Sequence, residues 1–411
     1  MPNTFRALNY SGYRYLWLGQ LGHSAAMWME QVVRPLLILE LTGSALQVGF
    51  VVALRMTPQL IFGLLAGVIA DRYNKQRVLM LSQTVTLMMH LVLAVLILTK
   101  NIAVWHVFVT AFISGASMAF NQPARQSMIP CLVPVEMMLN AIALNTAAMN
   151  TMRVLGAGLA GGLLIFLDFG EIYLLNAIIF VFVIWMTSKI RLPDNSKTSG
   201  SGDACEPPGK TTILHDLLEG FRYMAANRVV LYLVGMALVL FLIGLPYQQV
   251  FIPLLALDVL KIGRSGAGWM LALTGAGALM GSLAMASVKQ LPRRGLILMG
   301  LIVLFGAALA LLSQSRVMVL SGLALIIAGA VATTYNSLNM SLLFEQSDRQ
   351  FHGRVLSLMS LDRGFVSLGA VVAGALAEGL GPQTGLLILG LSCISVMVVL
   401  FFFLPALRKI S

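Results

Sequence analysis

"GVIADRYNKQR", residues 67–77, is the stretch on which the fold turns. Its opening residues close an apolar run long enough to cross a bilayer, the middle is a short basic turn, and a second apolar run starts at Val78. Apolar runs enter lipid and basic turns stay on the cytosolic face, so the stretch predicts a hairpin between two membrane helices. A related stretch, "GSLAMASVKQLPRR", begins at Gly281, an offset of 214, and "NAIALN" from Asn140 is echoed by "GRVLSL" from Gly353 at an offset of 213. Two agreeing offsets imply an internal repeat.

The rest of the chain fits that repeat. Of 411 residues, 58% are hydrophobic and 10% charged, where soluble domains average about 25% charged. Spanning a bilayer takes roughly 20 apolar residues, and twelve such runs are centred near residues 27, 58, 88, 113, 152, 180, 241, 276, 304, 330, 367 and 395. The expected fold is an all-α membrane protein with twelve transmembrane helices in two pseudo-symmetric six-helix bundles, residues 1–190 and 229–411. Between them, 191–228 reads as a cytosolic linker. It opens with the Gly-, Ser- and Pro-rich "RLPDNSKTSGSGDACEPPGK" and continues with Ile213, Leu214, Leu217, Leu218, Phe221 and Met224 at the spacing of an amphipathic surface helix. Repeats of this kind are common in secondary transporters, whose substrate site lies between them near the midplane.

Charge placement sets the orientation. With both termini in the cytosol, Lys100, Lys261, Arg264 and Arg316 fall outside, Arg34, Arg55, Arg153 and Arg363 fall within spans, and every other Lys and Arg is cytosolic. The positive-inside bias therefore explains the net charge of +11 as topology, and no nucleic-acid partner is expected. The N-terminus lacks a signal-peptide pattern, so the first span is expected to be retained. Cys131, Cys205 and Cys393 are too few and too scattered for a disulfide framework or a metal site. No cofactor is expected. "GAGALMG", 275–281, has no preceding strand and reads as close-packing glycine. No phosphate-binding loop and no catalytic constellation is evident, which points away from an enzyme and from ATP as the energy source.

Charged side chains inside spans cost about 2.5–3.5 kcal/mol each at a helix centre and mark function. In the first span Gln20, His23, Ser24, Glu30, Gln31 and Arg34 lie within an arc of about 120 degrees at helical spacing, a polar stripe that must face a protein interior or a water-filled cavity. Glu30 and Arg34 stand four apart, as in a structural ion pair. Arg55 offers the carboxylate a second partner, and Glu30 serves as a proton carrier only if these partners separate. His90 reads as a packing residue. Further cavity candidates are Ser114, Ser117 and Asn121 in span four, Tyr247, Gln248 and Gln249 after the kink-prone Gly244 and Pro246 in span seven, and Tyr335, Asn336 and Asn339 in span ten. Thr146, Asn150 and Arg153 share a face of span five, and Ser360, Arg363 and Ser367, beside Asp362, one of span eleven, as interface contacts or gating pairs.

Gly67, Asp71, Arg72, Lys75 and Arg77 of "GVIADRYNKQR" resemble the loop between helices two and three of the major facilitator superfamily. "FRALNYSGYRYLWLGQ", "LTGSALQVG", "NQPARQSMIPCLVP" and "FHGRVLSL" extend the resemblance over the whole chain, toward the branch of enterobactin exporters and macrolide efflux pumps. The resemblance implies helices one, four, seven and ten around a central cavity, alternating access by rocking of the bundles, Asp71 against the N-terminal end of helix eleven, and Arg72 and Lys75 as ionic latches. Asn74 stands where this loop usually has glycine, a position its tolerance of left-handed backbone suits, and Ala157 where the antiporter motif of helix five has proline.

The combined expectation is a monomeric transporter in the bacterial cytoplasmic (inner) membrane, exporting an amphipathic drug-like compound or siderophore against proton entry. Glu30, Arg34, Arg55, His23, Gln31, Tyr247, Gln248 and Asn336 form the substrate or proton site. Gly67, Asp71, Arg72, Lys75, Arg77, Arg153, Asp362 and Arg363 form the gates. The alternatives are a facilitator or importer of an anionic solute held by Arg34 and Arg55, and a lipid-flipping or non-transporting membrane protein.

Overall fold

Each apolar run becomes one helix, because a backbone in lipid satisfies its own hydrogen bonds only when helical. The structure, a computed structural model, describes residues 3–191, 227–287, 293–347 and 352–403. The linker's amphipathic segment lies outside these residues, and the side chains of Gly67, Asp71, Arg72, Asp362 and Arg363 lie outside the described ones.

A short 3-10 helix, Asn3–Asn9, leads into α1 (Ser11–Thr42), α2 (Ala45–Arg72), α3 (Lys75–Leu98), α4 (Val104–Leu132), α5 (Val135–Leu163) and α6 (Phe169–Ser188). Next, α7 runs through Arg228–Val239 and Tyr247–Leu254 with π-helical turns at Leu240–Gly244 and Leu255–Val259. Then come α8 (Gly263–Ser287), α9 (Arg294–Gln314), α10 (Met318–Gln346), α11 (His352–Leu380) and α12 (Pro382–Phe403). Every expected span centre falls inside one of these helices.

Nine helices among the described residues are long and apolar enough to cross a membrane. α1, α5 and α11 are not among the nine, although at 32, 29 and 29 residues they exceed the span length. In α1 the reason is visible: Glu30 and Arg34 depress its hydropathy and are turned inward, away from lipid.

Turn chemistry sets the hairpins. Gly43, at φ 65°, closes α1 in the left-handed conformation that glycine adopts without strain, and Ser44 Oγ accepts from Gln47 N at 3.3 Å to start α2. Asn74 takes φ −59°, not a left-handed value, so the expectation for this position is corrected. Its side chain caps α3 by accepting from Arg77 N at 3.1 Å, a role glycine cannot perform. In α7 the π turn at Leu240–Gly244 sits just before Pro246, where a missing N–H and ring bulk disturb an ordinary α-helical ladder.

The packing repeats with the sequence. α2 lies on α4 and α3 on α6, as α8 lies on α10 and α9 on α12, and the bundles meet along the symmetric pairs α2–α11 and α5–α8. Small residues make these approaches possible. A Cβ at Gly115 would lie 2.0 Å from the Arg55 carbonyl oxygen, and one at Gly329 the same distance from that of Thr274. Gly277 and Gly281 face the carbonyls of Ile326 and Ala330 as closely, which is the packing role read for "GAGALMG". Between the bundles, a Cβ at Gly268 would meet the Gly161 backbone at 2.4 Å and one at Gly49 the Ala370 carbonyl at 2.4 Å.

Candidate functional site

Three charges meet inside the first bundle. Glu30 Oε1 pairs with Arg34 one turn along α1, and its Oε2 takes Arg55 Nη2 of α2 at 2.9 Å. His90 Nε2 of α3 lies 3.7 Å from Oε1, just beyond hydrogen-bond reach. Arg34 also donates to the Val107 carbonyl at 3.2 Å and to Thr110 Oγ1 at 3.4 Å, both on α4. The rings of Tyr173 and Phe180 on α6 stand 5.8 and 5.3 Å from that of His90. All three charged groups are at most 7% exposed. One carboxylate thus balances two guanidiniums away from water. Taking charges out of water is repaid only by close mutual pairing, and removing one partner from a buried set costs about 3–5 kcal/mol.

Arg55 is placed by α2 as much as by its charge. Gly115 lets α4 rest on the Arg55 carbonyl, and the opposite side of α2 packs on α11 of the second bundle. Beside the cluster is a cavity of about 10 Å³ lined by Gln31, Arg34, Pro35, Val51, Val52, Arg55 and Gln249, room for on the order of one water. Gln249 Nε2 of α7 donates to Gln31 Oε1 at 3.3 Å, closing the passage between bundles at this depth.

At the end remote from the termini, Arg264 of α8 grips the first bundle. It pairs with Glu40 at the end of α1 and, at 3.1 Å, with Asp168 before α6, and its guanidinium lies 4.6 Å from the centre of the Phe169 ring. Nearby, Glu378 Oε2 of α11 accepts from Leu46 N of α2 at 3.3 Å. With the Gly161–Gly268 and Gly49–Ala370 approaches, these contacts close the far end across both interfaces.

The remaining expected residues sort by depth and direction. The helix-one stripe does not line the shared passage as a whole: Glu30 and Arg34 turn into their own bundle, His23 lies edge-on to Phe180 at 5.6 Å, and Gln31 alone of the named stripe bonds across to α7 among the described residues. The α4 group faces α3, with Ser117 Oγ 2.9 Å from Thr86 Oγ1 and Asn121 Nδ2 donating to Ser82 Oγ at 2.9 Å. Tyr247 is fully buried against Phe305, Gln248 is 9% exposed, and Asn336 is half-buried on α10. Lys75 bonds the Ser127 carbonyl of its own bundle at 3.3 Å instead of latching to the other, and Arg77 is exposed. Arg153 lies over the Trp28 ring, 5.1 Å from its centroid, and not against an acid.

Several residues placed at these contacts escaped the sequence reading. His90, expected to be packing alone, stands beside Glu30. Arg125, grouped with the cytosolic residues, is 3% exposed within α4 and donates to the Leu16 carbonyl at 3.3 Å. The Glu40, Asp168 and Arg264 set joins residues far apart in the chain, and no local spacing signals it.

Two symmetric six-helix bundles closed over a buried ionic cluster have the architecture of the major facilitator fold. The chain belongs to the transmembrane secretion effector family, whose profile matches residues 3–410. Among curated relatives, the multidrug efflux pump Tap of Mycolicibacterium fortuitum is 25% identical, over 92% of each chain. Macrolide efflux protein A of Streptococcus pyogenes is 21% identical, over 93% of this chain and 94% of its own. Among solved structures, a POT family transporter in complex with a thioalcohol-conjugated peptide superposes with a TM-score of 0.78 over 97% of both chains at 12% identity, a likeness of fold.

Proposed function

We propose that the chain is an exporter of an amphipathic small molecule, a drug-like compound or a siderophore, driven by proton entry through alternating access. Its termini are cytosolic in the bacterial inner membrane, and the end closed by Arg264 faces outward. Orientation rests on the basic bias of the loops, and export on the efflux pumps to which the chain is similar.

The observation that carries the coupling is the lone Glu30 carboxylate between Arg34 and Arg55. Proton coupling through this carboxylate requires that the two guanidiniums separate from it during the cycle. Arg55 is the partner on a second helix, and α2 touches both the cluster and α11 of the other bundle. His90, 3.7 Å away, is the group nearest to relay that proton among the described residues.

Reconstituted flux tests the reading. An imposed pH gradient should drive wild-type transport and leave Glu30→Gln transport slow and indifferent to pH. Fully coupled transport by Glu30→Gln removes the residue from the mechanism. The excess of guanidiniums over carboxylates at the cluster favours one rival, a facilitator or importer of an anionic solute. Flux that ignores the proton gradient in the wild type selects that rival.

A further inference from the structure

Arg34, Arg55, Arg125 and Arg153 lie away from the helix ends within the spans described in side-chain detail, and their partners differ. Arg34 and Arg55 share Glu30, and Arg125 is held by the Leu16 carbonyl inside the first bundle. Arg153 is different. It projects from α5 at the meeting of the bundles, where a Cβ on Gly275 of α8 would touch its Cγ at 3.3 Å. Its guanidinium is stacked on Trp28 of α1, with the neutral Tyr247 of α7 nearby. No acidic side chain pairs with it among the described residues, and its Nε is buried without an acceptor.

The indole beside it has the same polarity. Trp28 Nε1 and Gln248 Nε2 are also buried donors without an acceptor, and Gln248 is 9% exposed beside the fully buried Tyr247. Indole N–H and guanidinium N–H donate only, and an unmet buried donor carries a desolvation penalty. Helices α1, α5 and α7 thus bring together a guanidinium, an indole N–H and a phenol hydroxyl, with Gly275 of α8 against the Arg153 stem and no anion among the described residues. Such a set is complementary to an acceptor-rich anion attached to a flat apolar body: the carboxylate meets the guanidinium fork, and the ring lies along Trp28 and Tyr247.

We propose that Arg153, with Trp28, Tyr247 and Gln248, is the recognition site for the anionic group of an aromatic carboxylate substrate, and that Arg153 binds cargo instead of serving as a gate. The site opens when α5 and α8 part. This deepens the transporter reading and rests on it, but needs no proton coupling. Loss of coupling in a flux assay and loss of anion preference in a binding assay are therefore separate failures.

The test is equilibrium binding to the purified full-length protein in detergent, by displacement and thermal shift, with three probes that differ mainly in charge: 1-naphthaleneacetate, its uncharged amide and 1-naphthylmethylammonium. The carboxylate should bind at least tenfold more tightly than either other probe. Arg153→Gln should bind carboxylate and amide within about threefold of each other, while Arg153→Lys, which keeps the charge but not the planar stack, should retain a reduced preference. A monodisperse Arg153→Lys preparation keeps the comparison valid if Arg153→Gln fails to fold. Equal binding of the three probes by wild type, an undiminished carboxylate preference in Arg153→Gln, or no carboxylate binding at millimolar concentration overturns the assignment. Displacement of the carboxylate by equimolar phosphatidylglycerol overturns it in favour of a lipid headgroup.

Discussion

A carboxylate between two guanidiniums makes unequal demands on its members. Without Glu30, two buried cations face each other uncompensated. Without Arg55, a one-to-one pair with Arg34 survives. Glu30→Gln is therefore expected to lower stability by about 3–5 kcal/mol and Arg55→Gln by clearly less, read as the order of thermal unfolding midpoints in detergent. Equal midpoints would show that the two guanidiniums do not depend on this carboxylate. Glu30, Arg34 and Arg55 were legible in the sequence because lipid penalises charge so heavily that its mere presence in a span is a signal. His90 was not, because an imidazole in a span is compatible with plain packing, and the identity of its neighbour depends on how α3 is rotated against α1. Asn74 was read at the right place for the wrong reason: its side chain caps a helix, while its backbone is ordinary.

Helices here are positioned by the atoms they lack. Gly115→Val would drive its side chain into the Arg55 carbonyl, 2.0 Å from where the Cβ must go. Backbone cannot step aside as a flexible side chain can, so a loss at or above the usual 1–3 kcal/mol of overpacking is expected, about 3 kcal/mol. Gly162→Ala is the control. Nothing lies within 4 Å of its Cβ site on α5, and replacing a helical glycine there should leave stability unchanged or raise it by about 0.5–1 kcal/mol. A tolerated Gly115→Val in the same unfolding assay would contradict this account of how α2 and α4 meet. Among elements, the twelve spans were readable from run length alone. The bend in α7 was foreseen at Gly244 and Pro246, but its form, a π turn whose Leu242 carbonyl lies against Gly369 of α11, was not, since run length carries no information on ladder pairing.

For the molecule as a whole, the clasp at the far end sets which side is shut. Exposed pairs contribute about 0.2–1 kcal/mol each and a cation over an aromatic ring about 0.5–1 kcal/mol, so Arg264→Gln should move the balance toward far-side opening by on the order of tenfold. A cysteine at Gln31 (Gln31→Cys) would then react faster with a membrane-impermeant maleimide supplied from the far side. An unchanged rate would mean that the glycine contacts along α5–α8 hold the closure alone. The two-bundle plan was legible because the chain repeats itself at an offset near 214 residues. What the repeat could not reveal is the direction of the helix-one stripe: a helical wheel shows that a polar face exists, and only packing decides that α3 and α4, not the shared passage, receive Glu30 and Arg34.

The clasp has a further effect. Arg264 is 36% exposed and the Asp168 carboxylate 81% exposed, so dissolved ions reach both and weaken their attraction as the Debye length shrinks from about 10 Å at 0.1 M to about 3 Å at 1 M salt. The Glu30 cluster, sealed from solvent, is spared that screening. Salt on that side of the membrane should consequently ease the door while leaving the lock beneath it untouched, making the preferred posture of the carrier a function of the ionic strength it meets there.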